Sequence, residues 1–193
     1  MMGQHGWTQH MGRGFLIGLL LAGCASGSQP PTPTSNVPAP KRLILTSPAF
    51  ATDGVIPTKF TCDGENISPP LKWEPPPPGT QGLSLIVEDP DAPNKTFTHW
   101  VVYDLPANVR QLPEKLIPQP FLQGGGMQGK SSFGQYGYGG PCPPSGTHRY
   151  VFKLYALDQV MDLPAGTNRS DLIKAMQGHI LAEGILTGKY TRQ

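Results

Sequence analysis

The chain has 193 residues, enough for one domain with appendages, and its 15 Lys and Arg against 13 Asp and Glu give a net charge of +2 at pH 7. That near balance argues against a nucleic-acid-binding face, and a charged fraction of only 15% argues against long solvated helices and coiled coils. The 24 glycines and 23 prolines make up about a quarter of the chain, yet 37% hydrophobic content spread along it supports a core. The reading is a β-rich domain with many turns.

Residues 1–23 begin with a weakly basic stretch containing Arg13, followed by the apolar run Gly14 to Ala22. That run is too short to span a bilayer but suits a signal-peptide core. It ends in Leu21-Ala22-Gly23-Cys24, which resembles the bacterial lipoprotein box. Small residues let the extended chain enter the peptidase, and the Cys24 thiol takes the lipid. The resemblance implies a signal peptide over 1–23 and a mature chain starting at lipidated Cys24. Two or three acyl chains would then hold it stably on a membrane of the cell envelope, at its periplasmic or extracellular face. Residues 25–40, ASGSQPPTPTSNVPAP, carry no charge and no aromatic side chain. They read as a semi-extended tether, within a linker assigned to 24–42. The folded domain is assigned to 43–193, and nothing in it is long and apolar enough to span a membrane.

Within the domain, Leu43 to Thr46 opens as a strand, and Gly54, Pro57 and Asp63-Gly64 punctuate short segments after it. The four prolines from Pro75 to Pro78 provide no ladder donors and lie outside any central strand. Leu83 to Glu88 reads as a buried strand, Phe97 to Leu105 as a second and Arg149 to Leu157 as a third. In the third, Tyr150, Phe152, Leu154 and Ala156 alternate with Arg149, Val151, Lys153 and Tyr155. The Gly- and Pro-rich stretch 106–147 is too long for an idle connector, and such loops usually serve a site. Asn168 or Ser170 caps a helix over about 169–182, with Leu172, Met176 and His179 on one apolar face. Gly184 breaks it, and Ile185 to Tyr190 forms a last short strand. His179 reads as a satisfied core histidine.

Cys62 and Cys142 remain after the leader, in an oxidising compartment if the chain is secreted. One disulfide is the economical reading; an intermolecular bond or two free thiols are the alternatives.

Polar groups concentrate at strand ends. Asp89-Pro90-Asp91-Ala92-Pro93 follows the first strong strand, Thr98-His99-Trp100 opens the second, and Gly139 to Tyr150 is a Gly/Pro loop feeding His148-Arg149-Tyr150. Two imidazoles, a guanidinium, a phenol and a carboxylate in one small pocket would suit an anion, with loop N–H groups as further donors. His99, His148 and Asp89 also form a two-His-one-carboxylate set, a metal pattern. Isolated histidines without tight spacing read better as hydrogen-bonded pocket residues, so no metal and no cofactor is expected.

DPDAP, then HW in a hydrophobic strand, then GPCPPSGTHRYVFKLYAL strongly resemble the phosphatidylethanolamine-binding protein family, and within it the bacterial and archaeal Raf-kinase-inhibitor-like branch. SPAF, IPTKFTCDGENISPPLKW and AMQGHILAEGILTGKY fit that branch as well. The resemblance implies a mainly β fold, two packed antiparallel sheets with a short C-terminal helical segment. It also implies a small anion-accepting cavity near one edge. Carried over by motif, Asp89 is the pocket carboxylate and His99 the imidazole of the second block. Pro144 and His148 form rim and floor, and Tyr150 lies at the same strand start. Asp91 and Arg149 are framework, with Arg149 pairing one of the two aspartates. Eukaryotic members gate the pocket with a C-terminal helix; here the sequence after the last strand is short, and no such gate is expected. Phe133, Tyr136 and Tyr138 read as loop packing rather than ligand contacts.

The expected function is therefore a non-catalytic envelope protein binding a small anionic or phosphorylated ligand. An inhibitor or regulator of a protease, a kinase or another envelope protein partner is the alternative. A hydrolase fits less well: there is no G-x-S-x-G elbow, and Ser145 is near His148 only in sequence.

Overall fold

A computed structural model describes residues 39–192; the leader, Cys24 and the tether as far as residue 38 lie outside the described residues. In chain order the elements are β1 (Lys41–Arg42), β2 (Leu45–Thr46), β3 (Leu71–Trp73), β4 (Gly82–Asp89), β5 (Phe97–Pro106), β6 (Gln111–Leu112), β7 (Met127–Gln128), β8 (Thr147–Leu157), α1 (Arg169–Met176) and β9 (Ile180–Thr191). They form a six-stranded sheet in the order β1-β9-β8-β4-β5-β7 and a three-stranded sheet in the order β2-β3-β6. All pairings are antiparallel except β1 with β9, where Lys41 and Arg42 run parallel beside Ala182 and Glu183.

The large sheet is buried on both faces, which explains the continuous apolar run of β4, whose eight residues are all buried. Leu83, Leu85, Val87, Trp100, Phe152 and Leu154 face the smaller sheet, where Leu45, Leu71, Trp73 and Leu112 meet them. On the opposite face Ile86, Val101, Tyr103 and Leu157 are covered by Leu172 and Met176 of α1. β8 keeps the expected alternation: Tyr150, Phe152, Leu154 and Ala156 are buried, and the residues between them are not fully so.

The C-terminal part departs from the sequence reading. Asn168 does cap α1, accepting the Asp171 N–H at 3.1 Å. The helix nevertheless stops at Met176, because Gly178 turns the chain through a left-handed φ of 83° and β9 then pairs with β8 from Ile180 onward. Residues 180–182, expected in the helix, belong to a twelve-residue strand. His179 is consequently not a core histidine: it is half-exposed, with Nδ1 at 2.9 Å from the carboxylate of Asp158.

Cys62 and Cys142 are joined in a disulfide, with Cα atoms 5.4 Å apart. It ties the segment after a 3-10 turn at Thr58–Phe60 to the loop before β8. Hydrogen bonds reinforce the same seam: Cys62 N–H to the Pro141 carbonyl at 3.0 Å, Gly140 N–H to Asn66 Oδ1 at 2.7 Å, and the Tyr138 hydroxyl to the Phe60 carbonyl at 2.9 Å. Gly140 is required here, since a Cβ would stand 2.5 Å from the Phe60 carbonyl oxygen. Gly140 in the long 106–147 stretch thus serves close backbone approach. A buried Gln128 brackets that stretch, taking the Trp100 indole N–H and donating to the Ile117 and Gln119 carbonyls, each at 2.8 Å.

Candidate functional site

Asp89, His99, Pro144, His148 and Tyr150 all line one cavity of about 340 Å³, with Ala92, Pro93, Phe97, Phe133 and Cys142 completing the wall. The sheet register explains the convergence. Asp89 extends the inward row Leu83, Leu85, Val87 of β4, and His148 extends the inward row Tyr150, Phe152, Leu154 of β8. Two apolar rows therefore end in polar groups at the same edge of the core.

His99 reaches the cavity through an irregularity. Val87 pairs with Trp100 and Glu88 with Thr98, so His99 has no partner across the ladder. An extra residue of this kind re-aims its side chain. The Gly139 carbonyl accepts from His99 Nδ1 at 2.6 Å, and the Gly139 N–H donates to the His99 carbonyl at 2.9 Å. Because a carbonyl only accepts, Nδ1 carries the proton and Nε2 holds the lone pair of the neutral ring. Burial lowers the pKa of His99, outweighing the Gly139 carbonyl and the Asp89 charge, so the neutral ring is favoured.

Asp89 is bonded at both oxygens. Oδ1 accepts the Asp91 N–H at 2.8 Å, closing a turn over Pro90, and Oδ2 lies 2.7 Å from His148 Nδ1. The carboxylate accepts, so the proton is on Nδ1 and His148 keeps Nε2 for a ligand. The side chains of this pair are 10% and 5% exposed, which places it away from bulk screening. The Tyr150 ring stands edge-on to His99, with centroids 5.1 Å apart. Its hydroxyl is buried, sealed from solvent, and has no hydrogen-bond partner within 3.5 Å among the described residues. Burial, and then the Asp89 charge, push the phenol pKa up, so the hydroxyl stays a donor at any physiological pH.

Arg149, read from the sequence as framework, is not part of the cavity wall. Arg149 clamps Asp91 through Nε to Oδ2 at 2.9 Å and a terminal nitrogen to Oδ1 at 2.7 Å, and its backbone N–H adds a third bond at 2.9 Å. This settles which aspartate it pairs with and holds the Asp89 turn from the solvent side. The Arg149 clamp lowers the Asp91 pKa to about 2. Two aromatic walls were missed from the sequence. Phe97 stacks on His99, and Phe133, read there as loop packing, reaches both rings with centroids 4.8 and 5.5 Å away. Phe97, two residues before His99, was legible as a strand-start neighbour. Phe133 had no local signal, because a long-range loop closure delivers it. Gly139 makes room for that ring: a Cβ there would meet Phe133 at 2.4 Å.

The lining contains no serine hydroxyl and no free thiol, Cys142 being in the disulfide. Among the described residues no group of three or more His, Cys, Asp and Glu is arranged to hold a metal ion. A ligand here meets a carboxylate–imidazole pair, a second imidazole and the Tyr150 ring within mostly apolar walls.

A sequence model of the phosphatidylethanolamine-binding proteins matches residues 46–191. The chain belongs to the phosphatidylethanolamine-binding protein family. It is 49% identical over 148 residues to the UPF0098 protein of Methanothermobacter thermautotrophicus, covering 77% of this chain and 98% of that one. To the UPF0098 protein of Aquifex aeolicus it is 48% identical over 149 residues, 76% of this chain and 86% of the other. Among solved structures, a phosphatidylethanolamine-binding protein homologue from Chlamydia trachomatis superposes with a TM-score of 0.73 at 39% identity, over 79% of this chain and 99% of that chain. YbcL of E. coli, described as a new member of the mammalian family, superposes with a TM-score of 0.71 at 30% identity, again over 79% and 99%. The resemblance in the DPDAP, HW and GTHRY blocks thus extends to the whole domain and its fold.

Proposed function

We propose that this family member is a non-catalytic binding protein that takes a small oxyanion or phosphorylated group in the Asp89–His148 cavity. The observation that carries this reading is one cavity lined by the Asp89 carboxylate and by two imidazoles whose Nδ1 atoms are bonded and whose Nε2 atoms make no hydrogen bond among the described residues. The Asp89 charge must be offset for an anion to enter. A hydrogen phosphate does this in part by donating its own proton to the Nε2 lone pair of His148 or His99. Isothermal titration with inorganic phosphate and phosphotyrosine tests this; His148→Ala should weaken binding by about tenfold or more. Unchanged binding in that variant defeats the reading.

The same proposal places the domain on an envelope membrane through lipid on Cys24. Its support is the Leu21-Ala22-Gly23-Cys24 box and the uncharged Pro-rich tether that follows. Cys24→Ser should release the domain from membranes or leave the precursor uncleaved. Normal processing and membrane fractionation of that variant would overturn it.

A further inference from the structure

On the other face of the same strand ends lies a cleft of about 480 Å³, lined by Lys95, Thr96, Thr98, Lys130, Ser131, Ser132, Asn168, Arg169 and Ser170. It shares no lining residue with the Asp89–His148 cavity. Glu88 and Thr98 pair across β4 and β5 there, at the end of the sheet face covered by α1.

Three features of the cleft go beyond a charged surface. The first is Arg169. Its Nε donates to the buried Glu88 carboxylate at 2.6 Å, and Lys153 binds the other Glu88 oxygen. The carboxylate fixes the guanidinium while its terminal nitrogens, which make no hydrogen bond among the described residues, remain available as a fork. The second is charge. Lys153 and Arg169 together outweigh Glu88 by one positive charge, and the exposed Lys95 and Lys130 add two more at the rim. Lys130 is steadied over the Tyr136 ring, 5.7 Å from its centroid. The lining contains no carboxylate, and the nearby Asp171 is held by Asn168, whose Nδ2 donates to it at 2.8 Å. The third is Thr98, which is only 6% exposed. Its backbone is engaged, donating to Ser132 Oγ at 2.9 Å and accepting the Ser132 N–H at 2.8 Å, but its hydroxyl has no partner among the described residues. That hydroxyl is not sealed either, since among the described residues only those of Ser84 and Tyr150 are both sealed and unpartnered. A buried donor therefore opens into a cleft of fixed positive charge.

We propose that this cleft is a second ligand site, which binds a phosphate monoester. A dianion matches the uncompensated charge, its three terminal oxygens match the Arg169 fork, the Thr98 hydroxyl and the rim lysines, and the volume leaves room for a small polar substituent. The charge here is carried by Lys and Arg, so the pH dependence across this range is the ligand's own: binding weakens as the ester takes up a proton below about pH 6. The site stands independently of the cavity's function.

The test is titration of the full-length protein carrying His148→Ala, which silences the cavity, with inorganic phosphate and with glycerol 3-phosphate. Saturable binding is expected. It should fall about tenfold with the near-isosteric Thr98→Val and again with Lys130→Ala, and be retained with Lys130→Arg. Vesicles of phosphatidic acid in phosphatidylcholine form a second arm. Thr98-dependent binding to them assigns the phosphate to a lipid headgroup, and binding of glycerol 3-phosphate alone assigns it to a soluble ester; either supports the site. No saturable binding in any arm overturns the proposal. So does binding that Thr98→Val leaves unchanged and that about 0.3 M salt abolishes, the signature of diffuse attraction to surface lysines.

Discussion

Glu88 and Asp89 are consecutive carboxylates on one strand, and the pleat sends them to opposite faces of the sheet. Each is buried, with 4% and 3% exposure, and each needs compensation. Asp89 is answered by one imidazole and one backbone N–H. Glu88 is answered by Lys153 and Arg169. Burial alone would raise the Glu88 pKa, but hydrogen bonds from the two cations overcome this and lower it. The lesson is that two neighbouring buried acids can be answered to different degrees: one imidazole meets Asp89, whereas a lysine and an arginine meet Glu88 and leave an excess of positive charge beside the cleft. The cavity is built on the ends of β4, β5 and β8 with a loop wall, while the cleft sits between the start of β5, the first turn of α1 and two loops.

The largest expected effect breaks the cavity side of this comparison. The Cys62–Cys142 bond spans 80 residues of sequence, and Cys142 itself lines the cavity. On the chain-entropy account such a closure stabilises the fold by roughly 4–5 kcal/mol. Reduction, or Cys62→Ser with Cys142→Ser, should lower the urea-unfolding free energy by an amount of that order. In the protein that remains folded, phosphate binding at the cavity should weaken while the cleft is unaffected. Equal loss at both sites would show that the seam supports the whole sheet rather than one edge of it.

Next in size is Glu88→Gln, which strikes the cleft side. Removing the acid leaves Lys153 and Arg169 facing each other, and breaking a buried pair from one side costs about 3–5 kcal/mol. The two cations retain 27% and 33% side-chain exposure, so water recovers part of that. A loss of about 2–3 kcal/mol in chemical denaturation is expected. A loss below about 0.5 kcal/mol would mean the cations relax into solvent, and Arg169 would then not be a fixed fork.

How much of this was legible follows the same division. The four cavity side chains that carry chemistry were readable because each lies in a local block beside Pro or Gly at a strand end. The alternation of β8 was also plain, since one face meets the core. What escaped depended on distant chain. Phe133 enters the wall only after the 106–147 stretch folds back over Gly139. Glu88 looked like the polar end of an apolar run, and its two partners lie 65 and 81 residues away. The C-terminal helix was overextended because Ile180 to Ala182 suit either structure by pattern, and pairing with β8 decides between them.

The smallest expected effect sharpens the cavity's dependence on its outer clamp. Asp91 positions Asp89 through its backbone N–H and holds Arg149 through both carboxylate oxygens. Arg149 is more than half exposed, so solvent screens the pair and its contribution at neutral pH is small. Its sign with pH is fixed by direction: the Asp91 pKa falls from 3.8 to about 2 on folding. Below 3.8 the unfolded chain binds the proton that the folded chain refuses. The contribution is therefore fully present above that pH and is lost as pH falls through about 2. Asp91→Asn should match the wild type in stability at pH 2 and be slightly less stable at pH 6, measured by denaturant titration at each pH. A gap that is constant across the range would show that Asp91 acts through the turn over Pro90 alone. The ion pair would then be a consequence of the cavity's geometry and not one of its supports.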